Sequence, residues 1–374
     1  MLHALRSRET GLNWKFNLYV KSTLGRNLVL SNNSFQFNAD VSSVNCIDCE
    51  NAENRYVLAG YGNGSISIFD TCIPSNTHVF PAVGSINRLY ELCHRYSVEG
   101  VQWYPHDTGL FFSLSADRTL KIWDTNELQM AEQFQFSDTI HSFHVSEKAK
   151  KHSLVAVACE DSKIYLCDVK TGSKTHFLKG HKGAVLTTRW SPRNENILVS
   201  GSSDKHIYIW DVRKVKSVLM SLELNDGSGA HRGQVNGMKF TSDGVSLLSF
   251  GTDHQLRLWD VNSGNVTKVN YGRIENNRSK NIHFDVSKGV VNDLVFIPTM
   301  YHLDVFQIYT GKYIQSLSGH FMPVNSCCYN KSYQVTQSGC VKNNFVVVCY
   351  SLHDVIFLST CVAFFVGRGT NAMN

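Results

Sequence analysis

Short apolar segments that end in an aromatic residue or cysteine followed by aspartate recur along this 374-residue chain at nearly constant spacing. Five such segments are ISIFD, LKIWD, IYLCD, IYIWD and LRLWD, ending at Asp70, Asp124, Asp168, Asp211 and Asp260. The intervals between them are 54, 44, 43 and 49 residues, and a degenerate ending, VFQIYTG, places Thr310 another 50 residues along. A period of about 40 to 45 residues with loop insertions predicts repeated units of four antiparallel strands.

The composition agrees with one large all-β domain. Hydrophobic residues make up 43% of the chain, which is ample for a buried core, and the 18% of charged residues is low, as expected where strands dominate. The formal net charge of +5 is mild, and no run of five or six lysines or arginines marks a nucleic-acid-binding tail. We therefore expect no direct sequence-specific DNA binding.

The cysteines indicate a reducing compartment rather than secretion. The chain has 11 of them, an odd number, and its first 20 residues carry several charges instead of the apolar core of a signal peptide. The Cys46 and Cys49 pair has no second pair at zinc-finger spacing and lies in the alternating stretch VNCIDC, which is typical of a strand. We therefore predict structural thiols, no metal site and no cofactor.

A second set of residues keeps step with the strand endings. Histidine followed four residues later by valine begins four repeats, at His94, His181, His231 and His320. After the first three, aspartate follows 22 or 23 residues later and tryptophan 28 or 29 residues later, as Asp117 and Trp123, Asp204 and Trp210, and Asp253 and Trp259. Because a four-stranded sheet cannot bury both faces alone, such units must stack, and the tight turn before the third strand must be pinned.

This pattern is typical of the WD40 family of β-propellers, in which the histidine, aspartate and tryptophan form a buried hydrogen-bonded network with a strand serine or threonine such as Ser200. The same residue types invite a second interpretation, in which Ser200, His181 and Asp204 form a catalytic triad. Because the trio recurs in one repeat after another, and an active site would not, we favour the structural network and predict no catalytic residues.

The fold class predicted is therefore all-β: a seven-bladed WD40 β-propeller with a short N-terminal helical segment and a divergent last blade. The seventh unit begins with SGHFMPVNSCC at residues 318–328, and residues 26–37 are expected to supply its outer strand and close the ring. The predicted organisation is an adaptor-binding helical segment at 1–25, the propeller at 26–350 and an apolar tail at 351–374.

Residues 94–126, HRYSVEGVQWYPHDTGLFFSLSADRTLKIWDTN, resemble the second blade of the Cockayne syndrome A family of WD40 proteins. Similar segments follow in the same order and spacing, namely WSPRNENILVSGSSDKHIYIWDVR, FTSDGVSLLSFGTDHQLRLWD, KVNYG and TGKYIQSLSGH. The resemblance covers about residues 1–328. It implies a nuclear, non-catalytic substrate receptor of a cullin-4 ubiquitin ligase that serves transcription-coupled nucleotide excision repair. The implied partners are the damaged-DNA-binding protein 1 adaptor, cullin-4, the RING subunit, the Cockayne syndrome B protein and stalled RNA polymerase II.

Two segments carry the implied adaptor contact. Residues 197–213, ILVSGSSDKHIYIWDVR, match the box through which such propellers bind the adaptor, and Asp211 and Arg213 are its candidate contact residues. The alternative is that Arg213 only caps its own blade through Asp211. At the N-terminus, Leu2 and Leu5 share a helical face suited to a groove in the adaptor, and the alternative is a frayed terminus.

The C-terminus departs from the family. In the seventh unit, Asn343 stands where aspartate is expected and Cys349 where tryptophan is expected. Residues 344–367 are apolar enough to suggest a membrane span, but His353 and Asp354 near the middle would be costly there, so we favour a divergent last blade and no membrane segment. A WD40 scaffold of a nuclear chromatin or RNA-processing complex, without a ligase, remains the alternative function.

Overall fold

The computed structural model describes residues 28–30, 34–35, 42–71, 79–80, 82–87, 92–214, 218–224, 226–287, 294–318, 323–330, 335–340 and 346–351. Within these ranges the regular structure is β-strand, without a helix. The helical segment predicted at 1–25 lies outside the described residues, as does the tail from residue 352 onwards. The all-β class is confirmed for the part of the chain that the structure describes.

The strands follow one another with short connections. Two short strands come first, β1 (Leu28–Leu30) and β2 (Ser34–Phe35). The strands up to residue 179 are β3 (Val44–Cys49), β4 (Tyr56–Tyr61), β5 (Ile66–Asp70), β6 (Val79–Phe80), β7 (Ala82–Ile86), β8 (Val98–Trp103), β9 (Leu110–Ser115), β10 (Thr119–Asp124), β11 (Met130–Gln135), β12 (Ile140–Val145), β13 (Leu154–Cys159), β14 (Lys163–Asp168) and β15 (Ser173–Lys179). The remainder are β16 (Val185–Trp190), β17 (Ile197–Ser202), β18 (Ile207–Asp211), β19 (Val218–Leu222), β20 (Val235–Phe240), β21 (Ser246–Gly251), β22 (Leu256–Asp260), β23 (Asp285–Val286), β24 (Leu294–Pro298), β25 (His302–Gln307), β26 (Tyr313–Ser318), β27 (Val324–Asn330), β28 (Val335–Cys340) and β29 (Val346–Ser351).

Antiparallel meanders make up the blades of the propeller. Six sheets have four strands, in the orders β3-β4-β5-β7, β8-β9-β10-β11, β12-β13-β14-β15, β16-β17-β18-β19, β23-β24-β25-β26 and β27-β28-β29-β1. The first strands of successive sheets contact one another around a central channel, and β27 contacts β3. The structure therefore has six complete blades, one fewer than predicted, and the sheet β20-β21-β22 has only three strands.

The outer strand is missing because of the path that the chain takes after β22. After β22 the chain makes a single bridge, between Trp259 and Val266, and then leaves the sheet. Residues 275–281 cross one end of the channel instead, where Asn276 Nδ2 donates to Asn236 Oδ1 at 2.9 Å and Lys280 Nζ lies 2.7 Å from Glu99 Oε1. The polar segment ENNRSKN gains partners there that an outer strand would not provide.

The ring closes at its termini as the sequence predicts. Strand β1, within the predicted 26–37 segment, pairs antiparallel with β29, and Leu28 lies opposite Ser351. Part of the apolar stretch at 344–367 is therefore a strand, and no helix of the described chain is long and apolar enough to span a bilayer. The rest of that stretch, together with His320 and Asn343, lies outside the described residues.

The closure also joins two cysteines. Cys49 in β3 and Cys328 in β27 form a disulfide, with 6.2 Å between their Cα atoms and 279 residues of sequence between them. The prediction that Cys49 is a structural thiol is therefore wrong. The pairing could not be predicted because the two cysteines are so distant in sequence. Cys46 is a buried free thiol, and burial raises its pKa well above the ordinary value.

The sixth predicted strand ending is out of register by three residues. Gly311 N donates to Gln307 O at 2.9 Å, as Gly264 N does to Asp260 O and Gly172 N to Asp168 O at 2.9 and 3.0 Å. Gln307, and not Thr310, therefore stands at the strand end that corresponds to Asp168 and Asp260. The hydroxyl of Thr310 donates to the Gln307 side chain at 2.8 Å. The mismatch arises because the turn after β25 keeps its glycine while the strand loses its aspartate.

Candidate protein-interaction site

One blade shows how the recurrent polar residues pin a turn. His181 Nδ1 lies 2.9 Å from Asp204 Oδ2, His181 Nε2 lies 2.7 Å from Ser200 Oγ, and Trp210 Nε1 donates to the same Ser200 Oγ at 2.7 Å. Asp204 also accepts from the backbone N–H groups of Lys182 and His206, at 2.9 and 3.0 Å. One hydrogen-bonded chain therefore ties the third strand and the turn before it to the start of the blade.

The same chain of hydrogen bonds recurs in two other blades. His94 Nδ1 to Asp117, His94 Nε2 to Ser113 and Trp123 Nε1 to Ser113 are separated by 2.9, 2.6 and 2.7 Å. His231 Nδ1 to Asp253, His231 Nε2 to Ser249 and Trp259 Nε1 to Ser249 are separated by 2.9, 2.7 and 2.8 Å. Ser113 and Ser249 were not predicted as members of these networks, although a serine stands ten residues before each tryptophan.

The network excludes a catalytic triad at these residues. Each serine oxygen accepts from a tryptophan N–H, so its own proton points to the histidine, whose Nδ1–H then points to the aspartate. The side chains of His94, His181 and His231 are 0% exposed, so no substrate reaches them. Burial raises the pKa of Asp204, but its interactions with His181 and its hydrogen bonds from the backbone N–H groups of Lys182 and His206 together outweigh burial and lower the pKa to about 2. The aspartate is thus a fixed anion hydrogen-bonded to His181 Nδ1.

The residue four positions after each aspartate differs among the three blades: it is Lys121, Tyr208 or Arg257. Lys121 Nζ donates to the backbone oxygen of Leu92 at 2.5 Å, and the ring of Tyr208 stacks on His181 with 4.5 Å between ring centroids. Arg257 Nη1 donates to Asp253 Oδ2 at 2.8 Å. The third network therefore contains an additional ion pair.

Arg213 projects from the end of its blade. Its Nε donates to Asp211 Oδ1 at 2.9 Å and its Nη2 to Asp211 Oδ2 at 2.6 Å, and its backbone N–H also donates to Oδ1 at 3.1 Å. The Arg213 side chain is 63% exposed and that of Asp211 is 3% exposed. The hydrogen bond from Arg213 is the main reason that the pKa of Asp211 is lowered. Arg213 thus caps its own blade while presenting one side of its guanidinium to solvent.

Another blade provides a matched comparison. Arg55 donates from Nε to Asp70 Oδ2 at 2.8 Å, and its side chain is 42% exposed. Asp70 ends the third strand of its blade, as Asp211 does. The two arginines therefore make the same kind of ion pair with a buried strand-end carboxylate, in different blades. Leu2 and Leu5, the other candidate adaptor contacts, lie outside the described residues.

Comparison with known proteins gives the family. The model named "WD domain, G-beta repeat" matches residues 86–124, 172–211 and 224–260, and each match contains one complete tryptophan–serine–histidine–aspartate network. WD repeat-containing protein ATCSA-1 of Arabidopsis thaliana is 30% identical over an alignment that covers 89% of this chain and 92% of that protein. The chain belongs to the WD40 repeat family.

Other WD40 relatives match over shorter stretches. Radiation-sensitive protein 28 of Saccharomyces cerevisiae is 25% identical over 44% of this chain and 38% of its own length. Histone acetyltransferase type B subunit 2 of Candida glabrata is 24% identical over 59% of this chain and 52% of its own length. These matches show the repeat, whereas the ATCSA-1 match extends over nearly the whole of both chains.

A further set of polar residues lines the channel of this WD40 protein. They stand at or near the penultimate position of the first strands, as Asp48, Gln102, His144, Arg189, Lys239 and Asp285. Most bridge to the next blade: Asp48 Oδ2 accepts from Trp103 N at 2.8 Å, His144 Nδ1 from Trp190 N at 3.0 Å, and Asp285 Oδ2 from Tyr329 N at 2.9 Å. These residues were not predicted, because their signal in the sequence is a polar residue at a fixed place in an otherwise apolar strand.

The two ends of the channel differ. Residues 275–281 cross the end where the first strands begin. The strand register places Trp190 beside Leu198 and Ile197 beside Asp211, so the first strands finish at the end that carries Arg213. At that end lies a cavity of about 400 Å³. A second cavity, of about 390 Å³, lies beside residues 277–281 at the other end, so both ends of the channel have room for a partner.

Proposed function

We propose that this WD40 protein is the substrate-recognition subunit of a cullin-4 ubiquitin ligase in transcription-coupled nucleotide excision repair. The observation that carries the proposal is the 30% identity to ATCSA-1 across 89% of this chain and 92% of that one. A match limited to the three recognised repeats would indicate only a propeller. The resemblance of residues 94–126 to the Cockayne syndrome A family supports the same assignment.

In this proposal the protein is nuclear and performs no chemistry itself. It attaches to the damaged-DNA-binding protein 1 adaptor, and through it to cullin-4 and the RING subunit. It presents stalled RNA polymerase II or the Cockayne syndrome B protein for modification. Holding a target lysine near a charged conjugating enzyme raises the effective concentration of the reactants, which requires docking surfaces and no catalytic residues in the receptor.

The finer architecture belongs to the same proposal. The three-stranded sheet β20-β21-β22 counts as one more blade and brings the total to seven, because its first strand continues the ring between β16 and β23. Residues 1–25 form the helical segment that enters the adaptor, through Leu2 and Leu5, and 26–350 form the propeller, followed by the divergent tail at 351–374. Arg213, with Asp211 behind it, supplies an exposed guanidinium to the adaptor.

Replacing Arg213 with alanine is expected to weaken adaptor binding about tenfold. That factor corresponds to a loss of roughly 1.4 kcal/mol of binding free energy, a reasonable cost for removing one interface arginine. Binding of purified adaptor to the full chain is measured by biolayer interferometry. Arg55→Ala is the matched control, because it also removes a guanidinium from a buried strand-end aspartate but in another blade. Equal affinities for the two variants would show that Arg213 only caps its blade.

The second candidate function is a WD40 scaffold in a nuclear chromatin or RNA-processing complex. The match to histone acetyltransferase type B subunit 2 favours it, since that relative aligns over 59% of this chain. Gentle purification of the endogenous protein separates the two functions. Stoichiometric recovery of the adaptor and cullin-4 supports the receptor, and recovery of a chromatin complex without them supports the scaffold.

A further inference from the structure

Arg189 is a buried cation without an acidic partner. It is 8% exposed, its Nε donates to Met238 O at 3.1 Å and its Nη1 donates to Thr188 O at 3.0 Å. No carboxylate of the described residues forms an ion pair with it. Buried arginines are normally paired, because desolvation of the charge is costly. The two hydrogen bonds fix the guanidinium and leave Nη2 for a ligand.

The carboxylates near Arg189 are already engaged. Asp285 and Asp48 act on Arg189 electrostatically. Asp285 lies 2.9 Å from Lys239 Nζ and accepts from Tyr329 N, and Asp48 accepts from Trp103 N. Burial lowers the pKa of Arg189 to about 10, so it stays protonated at neutral pH. Its positive charge is therefore available to an anion that enters the channel.

The cavity at the Arg213 end reaches Arg189. Its lining includes three cationic side chains, Arg189, Lys239 and Lys148, and one carboxylate, Glu147. The lining also has an apolar part, formed by Trp190, Phe240 and Val286, and it includes the hydroxyl groups of Ser191 and Ser242. A volume of about 400 Å³ lies at the lower end of the range for ligand sites, so it suits a short chain segment rather than a folded domain.

We infer that this channel mouth binds an acidic segment of a protein that covers the Arg213 end of the ring, with one aspartate or glutamate carboxylate on Arg189. A carboxylate matches the planar guanidinium of Arg189, and Lys148 in the lining is a second cation for a neighbouring acidic residue, whereas Lys239 is already paired with Asp285. The partly apolar wall favours a peptide over a free inorganic anion, which would leave that wall without a contact. This site is separate from Arg213 and adds a second kind of contact to the proposed function.

Fluorescence anisotropy with the full-length chain tests the site. The probe is a fluorescein-labelled peptide, acetyl-GSGEDEGSG, and its control is acetyl-GSGQNQGSG. We expect the acidic peptide alone to bind, and Arg189→Gln to weaken it about tenfold or more, as loss of a charge-assisted contact predicts. Arg118→Gln is the matched control, because Arg118 is an exposed arginine in the turn between β9 and β10, at the end of the ring opposite to the Arg213 end. It is expected to leave binding unchanged.

A second variant keeps the test informative if Arg189→Gln fails to fold. Ser242→Asp adds a carboxylate at the cavity without touching Arg189, and Ser242 is exposed. We expect it to weaken the acidic peptide several-fold. Unchanged binding in Ser242→Asp or in folded Arg189→Gln overturns the inference. So does equal binding of the amide peptide, or complete displacement of the acidic peptide by low-millimolar inorganic phosphate. Arg213→Ala in the same titration separates this site from the adaptor contact, since it should not change peptide affinity.

Discussion

Replacing Asp253 with alanine is expected to lower the free energy of unfolding by about 3 kcal/mol, the cost of breaking a buried charged pair. Asp253 accepts from His231 Nδ1 at 2.9 Å and from Arg257 Nη1 at 2.8 Å. Its removal leaves both an imidazole and a guanidinium without their acceptor. At Asp204 the residue corresponding to Arg257 is a tyrosine, so Asp204→Ala should cost only about 1 to 2 kcal/mol, the value of an unmade buried hydrogen bond.

Equilibrium unfolding in urea, followed by tryptophan fluorescence, measures both losses. Asp243→Ala is the control within the same sheet, because Asp243 lies in an exposed turn and accepts from the Thr241 hydroxyl at 2.6 Å. Its cost should stay below about 1 kcal/mol. Adding Arg257→Met to Asp253→Ala should recover part of the loss, since the unpaired cation is then gone. Equal losses at Asp253 and Asp204 would contradict the role given to Arg257.

The repeat networks could be predicted from the sequence because their geometry is local. Strands of nearly constant length separate the three residues of each network. The histidine lies at the start of a blade, the aspartate in the turn before the third strand and the tryptophan on the third strand. The spacing therefore fixes which side chains meet. Ser113 and Ser249 were equally accessible from the sequence, since each stands ten residues before its tryptophan.

The incomplete sheet could not be predicted in the same way. Whether the chain after Asp260 forms an outer strand depends on what residues 275–281 find across the channel. Asn276 meets Asn236, and Arg278 donates to Val324 O at 2.5 Å, so the segment is held by two different blades. The first partner lies 40 residues earlier in the sequence and the second 46 residues later. A repeat pattern contains no information about such contacts.

The channel site was also hidden from sequence reasoning. In VLTTRW, Arg189 looks like any polar residue on a strand. Arg189 lacks an acidic partner because Asp285 forms its ion pair with Lys239 instead. Lys239 and Asp285 lie on the first strands of two other blades. The Cys49 to Cys328 disulfide is the same kind of case, since it joins residues 279 positions apart. Pairing across the ring becomes visible only once the blades are in place.

Acidification from pH 7 to pH 4 is expected to destabilise the propeller by at least about 2 to 3 kcal/mol, at about 1.4 kcal/mol for each unit of pKa difference. Burial lowers the pKa of His94 and His231, and it lowers that of His283 to about 4, with Arg189, Lys239 and Arg278 acting in the same direction on His283. An unfolded histidine titrates near pH 6.5. Below that pH the unfolded chain therefore binds protons that the native chain does not, and stability falls.

Urea unfolding at pH 7.5, 6.5, 5.5 and 4.5 measures this slope, and His283→Gln isolates the contribution of His283. His283 Nε2 lies 3.1 Å from Glu99 O. The amide of a glutamine can donate the same hydrogen bond, and it does not titrate in this pH range. The variant should lose stability less steeply than the parent chain between pH 6.5 and pH 4.5. Below pH 4 both chains should fall together, because protonation of Asp204, whose native pKa is about 2, then favours the unfolded state. An identical slope in parent and variant above pH 4.5 would mean that His283 is already charged in the folded channel, which its three cationic neighbours oppose.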